Sequence, residues 1–197
     1  MNPRPPAKRN SSSAPPNNEA SDEAKPNKNP FYTVHASYLP TEPDSAADLG
    51  VRVSTSYRSR YGVLGSNEPL AVGDVFAIDL ALQAEREREH LVVEIPLPAG
   101  AEPFDLALGH GASVIAPNLT PLRQLDVGAE ELHRDRILVF VRRLAPGLVR
   151  HHTVYARAAA PGSYVVPGAH AQAMYAPEVR GRTAGRRLQI APELEKR

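Results

Sequence analysis

Beyond residue 30 the chain alternates apolar and polar positions in short runs, each closed by proline or glycine, and such runs predict strands. FYTVHASY at 31–38 opens the series and stops at Pro40 and Pro43. From Leu49 to Tyr57 the period is two, with Leu49, Val51, Val53, Thr55 and Tyr57 on one face and Gly50, Arg52, Ser54 and Ser56 on the other. Phe76, Ile78, Leu80 and Leu82 line another apolar face, and Leu91, Val93 and Ile95 the next; together they predict a hairpin across the charged run EREREH at 85–90. Alternating charge at a hairpin tip keeps the sheet edge soluble and discourages strand addition. RILVFVRRL at 136–144 and the run at 148–158 predict a second hairpin around Pro146-Gly147. SYVV and RRLQI supply two more short strands. Residues 101–135 are less patterned, with GHGAS at 109–113 and prolines at 117 and 121, and predict a long connection with a helical turn or two near Gly128–His133.

Roughly seven strands at this spacing point to an all-β fold, an antiparallel β-sandwich. Twenty prolines, thirteen glycines and no tryptophan agree, because proline is excluded from most helices and from central strands. Residues 1–30 hold no aromatic residue and no Val, Ile or Leu, so they bury too little to offset the entropy of ordering. The expected organisation is a disordered Pro/Ser/Asn-rich leader or linker at 1–30, a sandwich domain at 31–191 and a short tail at 192–197.

A net charge of +1 gives no global field for nucleic acid or for an anionic membrane. The basic residues of the leader are diluted by Glu19, Asp22 and Glu23. No apolar stretch approaches the ~20 residues of a membrane span, which argues against direct membrane insertion, and no signal peptide is evident in this chain. With no cysteine, disulfides, thiolate metal sites and thiol nucleophiles are excluded together. GxSxG, phosphate-loop, HExxH and calcium-loop patterns are absent as well. His151 and His152, adjacent on a strand, point to opposite faces and cannot share one metal ion. His133, Arg134 and Asp135 read as a polar loop. The expectation is therefore no catalytic residue, no cofactor, no metal and no enzyme.

The segment AHAQAMYAPEVRGR at 169–182 is unlike an ordinary domain end: an exposed Met-Tyr pair beside a proline suggests a loop that covers something. GDVFAIDLALQAEREREHLVVEIPLPAG, ELHRDRILVFVRRLAPG, TVYARAAAPGSYVVPG and AMYAPEVRGR, in that order, resemble the C-terminal end of bacterial alpha-2-macroglobulins over about residues 31–191. The resemblance implies a macroglobulin-like, immunoglobulin-like sandwich equivalent to the last, receptor-binding-like domain. It also implies a periplasmic or cell-envelope protease inhibitor, in which an internal thioester captures a protease after a bait segment is cut. Carried onto this chain, the thioester-shielding pair is Met174 and Tyr175, with Pro177, Arg180 and Gly181 as interdomain contacts. The implied partners are the thioester-containing and other macroglobulin domains, in the same or a neighbouring chain, and target proteases only indirectly. Since the thioester needs a cysteine, this chain is expected to be inactive alone, as a fragment or a separately encoded part. The alternative is a free-standing extracytoplasmic sandwich that binds a protein or a glycan through its tyrosines.

Overall fold

The computed structural model describes residues 45–65, 68–105 and 119–192. Its strands, in chain order, are β1 (Ala47–Leu49), β2 (Arg52–Ser59), β3 (Gly62–Val63), β4 (Leu70–Ala71), β5 (Val75–Gln83), β6 (Arg88–Pro96) and β7 (Ala101–Pro103). Then follow β8 (Asp126–His133), β9 (Arg136–Leu144), β10 (Arg150–Ala158), β11 (Gly162–Val166), β12 (His170–Ala173), β13 (Ala176–Arg182) and β14 (Arg186–Ala191). No α-helix occurs among the described residues. The leader, FYTVHASY, GHGAS with Pro117, and residues 193–197 lie outside them.

One sheet has the order β1-β13-β12-β6-β9-β8, a second β3-β2-β5-β10-β7, and a small third β11-β14-β4. Pairing is antiparallel throughout except for β14 with β4. The fold is an antiparallel β-sandwich. Its interior is made by the inward positions of each strand: Phe76, Ile78, Leu80 and Leu82 from β5, Leu91, Val93 and Ile95 from β6, Ile137, Val139 and Val141 from β9. Each is essentially removed from water, and burying an aliphatic side chain of this size stabilises by about 1.5–3 kcal/mol. Tyr57 closes one end of this core, stacked on Phe76 at 6.2 Å with the Arg186 guanidinium 4.3 Å over its ring; burial pushes its phenol up to about 12.

Three expectations are corrected. β5 pairs with β2 and β10, whereas β6 pairs with β12 and β9, so the EREREH run joins two sheets and is not the tip of a hairpin. The strand also begins at Arg88, inside that run. Likewise β9 and β10 lie in different sheets, and Pro146-Gly147, with Gly147 at φ 78°, turns the chain across the sandwich. Gly128–His133 is part of the edge strand β8, not a helical turn. Hydrogen bonding along β9 overrides the helix-compatible composition of that segment.

The outer face of the five-stranded sheet carries a second layer. Segment 119–125 lies over β5 and β10, with Leu119 and Tyr155 buried beside Ala77. Its backbone is held by side chains of the sheet: Tyr155 Oη donates to the Leu119 carbonyl at 2.6 Å, and Leu122 N–H donates to Thr153 Oγ1 at 2.9 Å. Tyr155 is thus buried between the sheet and the covering segment.

Candidate interdomain surface

The Met-Tyr segment is the turn of a tight hairpin. β12 ends at Ala173 and β13 begins at Ala176, which leaves Met174 and Tyr175 alone at the turn. A register shift between Gln172 and Ala173 brings Ala173 opposite Ala176. Two hydrogen-bonded strands fix the base of the turn, and Met174 N–H donates to the His90 carbonyl at 2.9 Å, tying its tip to β6. Tyr175 rests edge-on against the His90 ring, 5.4 Å between centroids at 75°. Even so, Met174 is 50% and Tyr175 81% exposed, so neither fills the core of its own sandwich. A held backbone presenting a thioether and an aromatic ring to solvent is a ready contact surface.

The other predicted contact residues fall on β13. Pro177 and Arg180 are exposed on the same strand as the turn. Gly181 is set apart, because it is buried, paired with Asp48 of β1 on one side and Ala171 of β12 on the other. A Cβ there would lie 1.8 Å from the Val51 carbonyl oxygen, so Gly181 lets the start of β2 cross over the six-stranded sheet.

Around the turn the structure gathers residues that the charge pattern concealed. His90 has φ 53°, the left-handed region that His enters more readily than most side chains. Alternation breaks there: Glu89 and His90 are both exposed, and Arg88 pairs across to the buried Leu144. Arg88 therefore shares an inward-turned position, beside Gly50 and Val179. Nothing in EREREH as a string of letters announces that reversal.

The paired histidines separate as expected. His151 is half-buried, while His152 is buried in the interior and its Nε2 lies 2.8 Å from Glu130 Oε1 on β8. His152 Nδ1 is buried without a partner among the described residues. Arg123 Nη1 also reaches Glu130, at 3.0 Å. The hydrogen bond from His152 holds the Glu130 carboxyl below the ordinary range near 4.5, with the His152 and Arg123 charges adding to it and burial opposing it. A lowered carboxylate pKa contributes stability that is complete above the unfolded value and is lost as pH falls through the folded one. Glu130→Gln is expected to cost about 0.5–1 kcal/mol at pH 6, and the difference from wild type should fade as pH falls below the ordinary carboxylate value of 4.5. Denaturant midpoints of both proteins from pH 6 downward check this; a difference that stays constant into acid contradicts it. No group of three or more His, Cys, Asp or Glu able to hold a metal occurs among the described residues.

The sequence profile of the bacterial alpha-2-macroglobulin MG10 domain matches residues 49–178, a span that includes the Met-Tyr turn. The chain belongs to that family. An alpha-2-macroglobulin homolog from Nostoc sp. is 33% identical over 129 residues, 64% of this chain but 7% of the relative. Salmonella alpha-2-macroglobulin reacted with methylamine superposes with a TM-score of 0.65 at 25% identity, covering 78% of this chain and 10% of that one. Native Escherichia coli alpha-2-macroglobulin, in a structure running from domain MG7 to the C-terminus, gives a TM-score of 0.68 at 24% identity, covering 78% and 25% respectively. The MG10-type chain thus spans a small part of the relatives it matches.

Proposed function

We propose that this MG10-type chain is the closing domain, at residues 31–191, of a bacterial alpha-2-macroglobulin-like protease inhibitor in the periplasm or cell envelope. Its Met174–Tyr175 turn packs on the thioester-bearing domain and keeps water from the thioester, while Pro177 and Arg180 flank the contact. The observation that carries the reading is a large apolar pair, 50% and 81% exposed, on a turn held by two strands and by a hydrogen bond to β6. A thioester persists in water only where hydrolysis is excluded, and a polarizable thioether beside a flat ring makes a dry cover that can be displaced. The chain has no cysteine, so the thioester belongs to another domain, in the same or a neighbouring polypeptide. On this reading the chain inhibits nothing alone and meets proteases only through the assembled protein.

The test is thiol release in the assembled protein. With Met174 and Tyr175 both replaced by alanine, methylamine should liberate the thioester thiol at least about ten-fold faster, which corresponds to ~1.4 kcal/mol of lost shielding. The stability of the domain should change by less than about 0.5 kcal/mol, since both side chains are exposed. Equal rates of thiol release would eliminate the shielding role.

A further inference from the structure

We propose that Arg88 and Arg86 form a carboxylate-binding pocket at the Met174–Tyr175 end of the sandwich, which receives an Asp or Glu side chain of the domain docked there. The identity of that partner rests on the interdomain reading above; the pocket itself does not.

An open cavity of about 400 Å³ lies where the β5–β6 and β9–β10 connections meet the β1–β2 junction, lined by Gly50, Arg52, Glu85, Arg86, Arg88 and Gly147. Arg88 also forms part of the wall facing Ala173, Ala176 and Val179 at the base of the Met-Tyr hairpin. Its placement follows from two backbone features. His90, at φ 53°, turns Arg88 inward, and β12 ends at Ala173, opposite Leu91, so β6 has no β12 partner at Arg88. The guanidinium occupies the resulting gap. A Cβ on Gly50 would come within 3.0 Å of Arg88 Nη2, and Gly50 itself has φ 95°, so only glycine leaves that slot open.

Within the gap Arg88 is unsatisfied. Its Nε is buried and has no hydrogen-bond partner, and neither Arg88 nor Arg86 forms an ion pair among the described residues. The neighbouring acids are otherwise engaged or fully wetted. Asp48 is taken by Arg52 at 3.2 Å and Glu87 by Arg143, Glu85 is exposed at the rim, and Glu89 is exposed on the hairpin side of Arg88, outside the cavity lining. Among the described residues that line the cavity, Arg86 and Arg88 face one carboxylate without an ion pair, Glu85, which leaves the lining with one net positive charge. Arg88 Nε is buried without an acceptor, and the planar fork of its guanidinium matches the two oxygens of a carboxylate. Arg88 belongs to both walls, so an acidic side chain docked here would be linked through Arg88 to the base of the Met-Tyr hairpin.

The experiment uses the 197-residue chain and glutarate as the probe, followed through the arginine Nε–Hε resonances at constant ionic strength. Glutarate should shift the Arg88 resonance saturably and move the Gly50 and Gly147 amides with the same affinity, while matched chloride does not. Arg88→Gln should weaken glutarate binding at least ten-fold, and Arg88→Lys, which keeps the charge but loses the fork, should weaken it by an intermediate factor. Absence of a saturable Arg88 shift overturns the proposal. So does inorganic phosphate binding as tightly as glutarate, since the site would then be a general anion site. These readouts involve no thioester. The pocket can therefore fail while Met174 and Tyr175 still slow thiol release, or stand while they do not.

Discussion

Gly181→Ala is expected to destabilise the domain by more than about 3 kcal/mol, a large share of the 5–15 kcal/mol that holds an ordinary domain together. The added methyl would sit 1.8 Å from the Val51 carbonyl oxygen and 3.0 Å from Val53 Cγ2. The first clash is with backbone, so no side-chain rotation relieves it. Gly181 is also pinned between β1 and β12, and moving it means parting three strands of one sheet or lifting the start of β2 from the other. Urea unfolding of the purified variant measures the loss. A midpoint shift worth less than about 1 kcal/mol would show that the β2 crossing yields easily, against the close packing of protein interiors. Arg180→Ala, one residue away and exposed, is the control and should be near neutral.

That contrast marks how far the fold was legible in the letters. Which way most side chains face came through: Val51, Val53 and Tyr57 turn inward as their alternation requires, and so do Phe76, Ile78, Leu80 and Leu82, and Leu91, Val93 and Ile95, whereas Leu49, read onto the same face, lies on the separate strand β1 and is 51% exposed. Which strand lies beside which did not. A period of two records burial on one face, and Pro146-Gly147 records a reversal, but both are the same whether the chain turns within a sheet or across to the opposite one. The sandwich uses the second option twice, at 84–87 and 145–149, because β5 and β10 pair with each other and leave β6 and β9 to do likewise.

The exposure of the Met-Tyr turn was legible for a related reason. Met174 and Tyr175 are large, adjacent and beside a proline, so burial within the same domain would have needed both faces of a strand at once. Arg88 stayed hidden because EREREH reads as a solvated tip unless the left-handed His90 is known, and one backbone dihedral decides which of those charges turns inward. Gly181 looked like a spacer between two arginines. Its reason is the backbone of a strand some 130 residues earlier, and no local pattern carries that information.

Asp79→Ala is the second substitution expected to be severe, about 3 kcal/mol or more, through loss of a buried charge partner. Asp79 lies at the middle of β5 on the outer face of the five-stranded sheet and is buried by the 119–125 segment and its neighbours. Arg58 grips it with two nitrogens, Nε to Oδ2 and Nη2 to Oδ1, the latter at 2.8 Å, and Thr153 Oγ1 donates to Oδ1 at 2.6 Å. The same groups anchor the covering segment, since Arg58 Nη2 also donates to the Thr120 carbonyl and Thr153 Oγ1 accepts from Leu122 N–H. The hydrogen bond to Asp79 holds Arg58 above the ordinary arginine range; with Asp79 gone that rise is lost, yet an arginine still stays charged at neutral pH, so its charge is left without this partner. Asp79→Asn keeps an acceptor for Arg58 and Thr153 and should cost only about 1–2 kcal/mol. Arg58→Met combined with Asp79→Ala removes the stranded charge, and the double variant should be more stable than the sum of the singles predicts by about 1 kcal/mol or more. Strict additivity in that cycle would mean that Asp79 acts through Thr153 and the covering segment alone, and the pair would lose its place as the clamp that binds that segment to the sheet.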